Sequence, residues 1–157
     1  MITVTEQLRR LNTAAADGEL GDLCGKYRVD LLVLFGSALD SAEPGDIDLA
    51  VAFESGAGHD LLGFMDALAE LVPGDHLDLM DLAHAGPVAQ HRALTKCRVL
   101  FARTAASFYE RQIFAINHFI ETQPLRDVLA HGETGAANPA AGLSAPKARA
   151  GRPRPAR

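Results

Sequence analysis

The chain has 157 residues, of which 48% are hydrophobic and 22% are charged, so it has the length and composition of one compact globular domain. Its amino terminus runs directly into a charged, helix-like stretch, and no apolar run reaches the length of a membrane span. We therefore expect no signal peptide, no membrane association and a cytoplasmic protein. Cys24 and Cys97 lack the paired spacing of metal or redox sites and are expected to be small apolar core residues.

Charge is unevenly distributed along the chain. Residues 132–157 contain one acid and five bases, so they carry +4, and the whole-chain value of −5 leaves −9 for residues 1–131. Ala, Gly and Pro fill 16 of the 26 terminal positions, so burial offers little there to offset the entropy of ordering. We predict a structured domain over 1–131 and a disordered tail over 132–157. A domain at −9 is a poor general binder of nucleic acid, because phosphate neutralisation supplies most non-specific affinity.

The body of the chain alternates between helical and strand-like patterns. Thr5 is expected to cap the first helix, Pro73 to end the third and Pro87 to start the fourth. Pro124 is expected to bend or break the last helix. The predicted elements in chain order are a helix over 5–16, a helix over 19–27, strands over 29–35 and 47–53, a helix over 59–72, a strand over 76–82, a helix over 87–96, a strand over 98–102 and a long helix over 105–130.

Four strands interleaved with helices indicate an α/β fold, a single domain with a small mixed β-sheet flanked by helices. The strand over 29–35 is apolar at nearly every position, as expected of a strand buried on both faces. The strand over 76–82 alternates instead. Its Leu77 and Leu79 are expected on one face, and its Asp78 and Met80 on the other.

Two acidic residues flank the start of the second strand. Residues i and i+2 of an extended chain project to the same side, so Asp46 and Asp48 face together while Ile47 turns into the core. Adjacent carboxylates repel each other unless a cation lies between them, and a hard cation such as Mg²⁺ prefers oxygen ligands. A third carboxylate from a neighbouring strand would complete a two-metal site; Asp78 is the candidate and Asp81 a competitor.

Gly36 and Ser37 directly follow the first strand. A glycine at a strand-to-helix turn lets the backbone approach a phosphate, and Ser37 offers a hydroxyl and a backbone N–H at the expected helix amino terminus. Taken singly, a Gly-Ser turn and an Asp-x-Asp pair are both common features of protein surfaces. Together with an acid in a third strand they predict a nucleoside triphosphate site.

These motifs resemble those of a known enzyme superfamily. The segment FGSALDSAEPGDIDLAV (35–51) is similar to the signature of polymerase-beta-type nucleotidyltransferases, in which Gly-Ser precedes an Asp-x-Asp pair. The short length and the segment HLDLMDLAHAGPVAQHRALTKCRVLFAR (76–103) resemble the minimal nucleotidyltransferase (MNT) group, the antitoxins of HEPN/MNT toxin–antitoxin pairs. The resemblance covers roughly residues 20–130.

The resemblance implies specific roles for the residues above. Asp46, Asp48 and Asp78 would bind Mg²⁺ and carry catalysis, and Gly36 and Ser37 would bind the nucleotide. The implied reaction transfers AMP from ATP to a hydroxyl of a cognate HEPN ribonuclease toxin, a tyrosine, and silences the toxin. The implied partners are therefore the NTP and the HEPN toxin, held in a hetero-oligomer.

The loop between Ser37 and Asp46 departs from the family pattern. The family usually has about ten residues between Gly-Ser and the acid pair, whereas this chain has eight, 38–45, and none of them is basic. We expect the shortened loop to weaken NTP binding while leaving the metal ligands intact.

Two other functions fit the sequence less well. A non-catalytic antitoxin would mask its toxin, but a pure binder has no need of three converging carboxylates. A small-molecule nucleotidyltransferase of the aminoglycoside-modifying kind usually has a second domain, for which 131 residues leave little room. Arg111 and His118 also match the loose Arg-x4–6-His pattern of HEPN ribonucleases, but those domains are all-helical and four strands are predicted here.

Overall fold

A computed structural model of the chain describes residues 1–56 and 58–134, with side chains as far as His131. The chain divides into two compact units, Met1–Phe119 and a second unit that begins at Ile120. The helices and strands, in chain order, are α1 (Val4–Asp17), α2 (Glu19–Lys26), β1 (Val29–Phe35), β2 (Ile47–Phe53), α3 (Leu61–Leu71), β3 (Leu77–Asp81), α4 (Pro87–Thr95), β4 (Cys97–Ala102), α5 (Ala105–Glu121) and α6 (Gln123–Thr134). Short 3-10 turns, Gly36–Leu39 and Leu82–His84, follow β1 and β3.

The four strands form one mixed sheet in the order β3–β2–β1–β4. β1 pairs antiparallel with both β2 and β4, whereas β2 pairs parallel with β3. All seven residues of the central strand β1 are buried, which accounts for its almost continuous apolar sequence.

Helices cover both faces of the sheet in the first unit. One face packs against α1, α2 and α3 through Leu11, Leu20 and Phe64. The other face packs against α4 and α5 through Leu94 and Ala115. Burial of both sheet faces by amphipathic helices is the usual solution for an α/β domain. The predicted fold, an α/β domain with a small mixed sheet flanked by helices, is confirmed.

One helix start differs from the sequence prediction, and one predicted break is found. Thr3, rather than Thr5, caps α1, and its hydroxyl oxygen accepts a backbone N–H of the first turn at 3.1 Å. The long helix predicted over 105–130 is broken next to Pro124, as expected, because α5 ends at Glu121 and α6 begins at Gln123. Pro124 therefore lies in the first turn of α6, where its missing N–H costs no helical hydrogen bond.

The end of the chain is described only in part. α6 continues to Thr134, three residues beyond the predicted domain boundary after 131. The rest of the predicted tail, residues 135–157, lies outside the described residues. In the part of the chain that the structure describes, no helix is long and apolar enough to cross a membrane.

Both cysteines carry free thiols, and neither lies fully exposed. Cys24 of α2 is buried in the core, and burial raises the pKa of its thiol to about 12. Cys97 at the start of β4 is half-buried, and burial raises the pKa of this thiol as well. Protonated thiols of this kind behave as small apolar side chains, in agreement with the sequence prediction.

Candidate active site

The sheet brings two of the predicted acids together. Asp48 is the second residue of β2 and Asp78 the second residue of β3, and their Cα atoms are direct partners in the parallel pairing of these strands. Partnered residues project to the same face of a sheet, so the two carboxylates lie side by side. Asp46 immediately precedes β2 and is exposed, on the same side of the chain as Asp48. The competing acid, Asp81, is instead bonded to its own turn and to His84 at 2.9 Å.

The electrostatics of Asp48 reflect this crowding. Burial raises the pKa of its carboxyl group, and the neighbouring charges of Asp78 and Asp46 raise it further. The positive charge of Arg92 acts in the opposite direction. A cation close to Asp48 would relieve the repulsion that these three carboxylates exert on one another.

Gly36 makes the approach of Asp48 possible. Its φ of 81° lies in the left-handed region that favours glycine, and a Cβ atom built at this position would overlap the carboxylate of Asp48. The carboxylate therefore rests directly against the backbone at the end of β1. Phe35, the last residue of β1, is the Cα partner of Asp48 across the antiparallel pair. The Gly-Ser turn and the acids consequently form one contiguous surface.

Ser37 lies in a different local structure from the one predicted. The sequence placed it at the amino terminus of a helix, but the structure has only a 3-10 turn, Gly36–Leu39. The carbonyl oxygen of Ser37 accepts the N–H of Ser41 at 2.9 Å, which closes the turn. A single turn has little dipole, so the expected helix-dipole attraction for anions is absent here. The side chain of Ser37 is exposed and available as a hydroxyl donor.

Two basic side chains near the turn were not identified from the sequence. Lys96, which follows α4, donates from its Nζ to the Oδ2 atom of Asp40 in the loop at 2.7 Å. The guanidinium carbon of Arg92 on α4 lies 5.5 Å from the centroid of the Phe35 ring. Arg92 lies in the last turn of α4 and Lys96 directly after this helix, and only the tertiary structure shows that they contact Phe35 and Asp40.

A buried glutamine fixes the strand ends that carry the acids. Gln7 of α1 is fully buried, and its amide donates to the carbonyl of Val72 at 3.0 Å and accepts the N–H of His76 at 3.0 Å. The carbonyl of His76 in turn accepts the N–H of Ile47 at 2.8 Å. Since Ile47 stands between Asp46 and Asp48, this chain of hydrogen bonds sets the register of the acid-bearing ends of β2 and β3.

The donor set has the chemistry of a site for a hard cation but is not a closed cage. In the described residues, no group of three or more His, Cys, Asp and Glu side chains is arranged so that it could hold a metal ion by itself. Nevertheless, burial first, and then the charges of Asp78 and Asp46, raise the pKa of the Asp48 carboxyl group. Oxygen donors that repel one another in this way fit Mg²⁺, which keeps several ligands from water or substrate phosphates.

A separate cavity of about 570 Å³ lies on the same face of the sheet, at the opposite end of β2 from the acids. It is lined by apolar residues and by Gln90, Arg111 and His118, among others. Arg111 donates to Asp30 of β1 at 2.8 Å, so it forms a structural ion pair within the domain rather than a solvated or partner-facing side chain. The Arg-x6-His spacing therefore reflects one face of α5 packed on the sheet.

Comparison with known families identifies the fold. The family model described as "Polymerase beta, Nucleotidyltransferase" matches residues 19–106, more than half of the chain. The match contains the Gly-Ser turn, the Asp-x-Asp pair and Asp78. No curated protein sequence matches the chain.

Several solved structures share the fold. A chain of a structure described as a toxin–antitoxin with AMP-PNP has a TM-score of 0.61 and 21% identity, and the match covers 74% of this chain and 97% of that one. A chain of a structure described as a tri-AMPylated Shewanella oneidensis HEPN toxin in complex with MNT antitoxin has a TM-score of 0.60 and 21% identity. This match covers 82% of the present chain and 98% of that one. At this level of identity the likeness concerns the fold alone.

Proposed function

Because the chain belongs to the polymerase beta nucleotidyltransferase family, we propose that it transfers AMP from ATP to a hydroxyl group of a partner protein, as an antitoxin that silences a HEPN ribonuclease. The observation that carries this proposal is the pairing of Asp48 with Asp78 beside the Gly36 turn. A strand-borne carboxylate pair against a glycine turn is suited to hold a metal-bound triphosphate. The likeness in fold to structures of toxin–antitoxin complexes supports the choice of partner.

The proposed roles follow the geometry. Asp46, Asp48 and Asp78 would hold Mg²⁺, which would neutralise charge on the triphosphate and orient the attacking and leaving oxygens. Gly36 admits the phosphates close to the backbone, and the hydroxyl of Ser37 donates to a phosphate oxygen.

The proposed reaction is an in-line displacement at the α-phosphorus of ATP. The acceptor oxygen forms a bond to this phosphorus while the bond to the bridging oxygen of the β-phosphate breaks, and pyrophosphate leaves. The acceptor proton passes to solvent. A tyrosine hydroxyl, with a pKa near about 10, is a weak nucleophile at neutral pH, so its activation is a central task of the site.

The charge of the domain supports a protein acceptor. Residues 1–131 carry −9 and therefore favour a partner with a positive surface, which a ribonuclease needs in order to bind RNA. A masking antitoxin without catalysis would not require carboxylates that destabilise one another, as those around Asp48 do. The acid cluster thus favours the enzymatic hypothesis over the masking one.

Removal of one acid tests this proposal. With Asp48→Asn we expect AMP transfer to the co-expressed partner to fall more than about 100-fold. Even substitutions of residues that only hydrogen-bond to a metal ligand lower metal affinity or activity about 10–100-fold. Intact-mass spectrometry of the partner, with wild type, Asp48→Asn and Asp66→Asn proteins, measures the added AMP. Asp66 is an exposed acid of α3 and matches the change in charge.

The thermal stability of the variant gives a second measurement. Without metal, Asp48→Asn should raise the melting temperature at neutral pH, because the folded state no longer carries a charge that burial and Asp78 disfavour. A partner that stays unmodified in the presence of wild-type protein, yet is silenced equally by the Asp48→Asn protein, would establish masking instead of catalysis.

A further inference from the structure

The guanidinium of Arg92 is held beside the site by an aromatic ring. Arg92 is exposed, and within residues 1–56 and 58–134 it makes no hydrogen bond or ion pair. Its guanidinium carbon lies 5.5 Å from the centroid of the Phe35 ring, a cation–π arrangement that restrains the side chain. The five N–H donors of this group are therefore positioned for a ligand from outside the described residues.

The position of Phe35 relates Arg92 to the rest of the site. Phe35 is followed directly by Gly36 and Ser37, and its Cα partner on β2 is Asp48. Partnered residues share a face of the sheet, so the Phe35 ring, the carboxylate of Asp48 and the α4 layer lie on the same side. Arg92 therefore lies over the residue that pairs with Asp48 and directly precedes the Gly-Ser turn.

Lys96 has a different task. Its Nζ is 2.7 Å from the Oδ2 atom of Asp40, so this lysine ties the loop over 38–45 to the end of α4. The ion pair also lowers the pKa of Asp40, first through the hydrogen bond from Lys96 and then through its charge. Of the two bases at this end of α4, only Arg92 is left to meet an anion.

We propose that Arg92 binds the triphosphate of the incoming nucleotide, and that α4 in this way supplies the positive charge that the loop over 38–45 lacks. The proposal rests on the nucleotidyltransferase function above and assigns a nucleotide-binding residue to the same site. A guanidinium offers paired donors that match phosphate oxygens, which a lysine ammonium does not. The carboxylates would then hold the cation on one side of the triphosphate while Arg92 neutralises it from another.

Nucleotide titrations of single variants test the role of Arg92. We would measure dissociation constants for ATP and for adenosine, in buffer with Mg²⁺ and without the partner, by calorimetry. Arg92→Gln should weaken ATP binding about tenfold or more, as expected for loss of a hydrogen bond to a charged group, and leave adenosine binding unchanged. Arg92→Lys, which keeps the charge but not the paired donors, should recover part of the loss.

Arg98→Gln is the matched control. Arg98 is also exposed, but it pairs with Leu34 of β1, which packs in the layer of α1, α2 and α3, and its guanidinium donates to Asn12 at 2.8 Å. It therefore lies on the opposite face of the sheet, and its removal changes the net charge equally. ATP binding by Arg98→Gln should stay within about twofold of wild type, whereas a loss of hydrogen bonding to phosphate costs about tenfold.

The outcomes separate this inference from the proposed function. Equal ATP affinities of Arg92→Gln and Arg98→Gln, or an equal loss for ATP and adenosine in Arg92→Gln, would overturn the role of Arg92. If wild-type protein still modifies its partner in that case, the proposed function stands alone. If wild-type protein neither binds ATP nor transfers AMP, both proposals fail.

Discussion

At Gly36 two constraints act on one residue. Its backbone adopts a φ of 81°, and the space that a side chain would need is taken by the carboxylate of Asp48. Gly18, between α1 and α2, has a similar φ of 92° but nothing within 4 Å of a Cβ atom built there. A comparison of alanine substitutions at these two glycines therefore distinguishes the cost of backbone strain from the cost of displacing the Asp48 carboxylate.

Gly36→Ala should consequently cost more than Gly18→Ala. Each alanine adds about 1–2 kcal/mol of left-handed backbone strain, and Gly36→Ala adds about 1–3 kcal/mol for the overlap with Asp48. Urea unfolding of both variants measures the difference in the free energy of unfolding. Transfer activity should be lost in Gly36→Ala and kept in Gly18→Ala. Equal losses of stability would show that the carboxylate of Asp48 moves freely away.

The residues of the candidate site were predictable from the sequence only where their arrangement follows from spacing along a single strand. The common side of Asp46 and Asp48 follows from their spacing along a strand, and Asp78 follows from the alternation of β3. Arg92 could not be found, because its position over Phe35 depends on how α4 crosses the sheet. The role of Gln7 could not be predicted either, because its hydrogen-bond partners lie 65 and 69 residues away in the sequence.

Between elements, the central strand and α5 are joined through one buried carboxylate. Asp30 of β1 accepts hydrogen bonds from Arg103, Ser107 and Arg111, each at 2.8 Å. Burial raises the pKa of Asp30, but the hydrogen bonds from Ser107 and Arg111 and the charges of Arg111 and Arg103 together outweigh it, and the net pKa is lowered. A buried acid in an otherwise apolar strand is thus accommodated by its partners.

The lowered pKa of Asp30 predicts the pH dependence of stability. As pH falls, Asp30 takes up a proton in the unfolded chain before it does so in the folded protein. Its stabilising contribution is therefore complete above the ordinary aspartate pKa of about 3.9, and is lost as pH falls through the lower pKa of the folded state. Asp30→Asn should cost roughly 1–3 kcal/mol at pH 7, since both arginines are partly exposed. Urea unfolding at pH 7 and at about pH 3 should show that this difference shrinks in acid, unlike that of Asp66→Asn.

Element prediction succeeded where burial alone determines the pattern. The dense apolar runs over 29–35 and 47–53 became β1 and β2 with the expected bounds. It failed at ends that local hydrogen bonds decide: capping by Thr3 instead of Thr5, and the 3-10 turn in place of a helix after β1. Such choices involve small energy differences between neighbouring residues, which a pattern of hydrophobicity does not resolve.

For the molecule as a whole, composition separates the domain from the carboxyl-terminal segment of the chain. Beyond Thr134 the sequence offers Leu143 as its single large apolar side chain, so it has little to contribute to a core. Truncation after Thr134 should leave the melting temperature within about 2 °C of the full chain, and AMP transfer unchanged. Differential scanning calorimetry and the mass-spectrometric assay measure both. A larger drop in melting temperature would show that residues 135–157 pack against the domain.

The pairing of Phe35 with Asp48 has a consequence for how relatives of this chain are recognised. The antiparallel pairing of β1 and β2 holds Asp48 opposite the end of β1. The eight loop residues that connect Ser37 to Asp46 are not part of this pairing, so their number does not determine where the acids lie. Insertions or deletions in that loop can accumulate during evolution while the carboxylates stay in place. A search pattern with a fixed gap of about ten residues after Gly-Ser would overlook such chains. A pattern anchored on two paired strands, with a gap of variable length, would retain them.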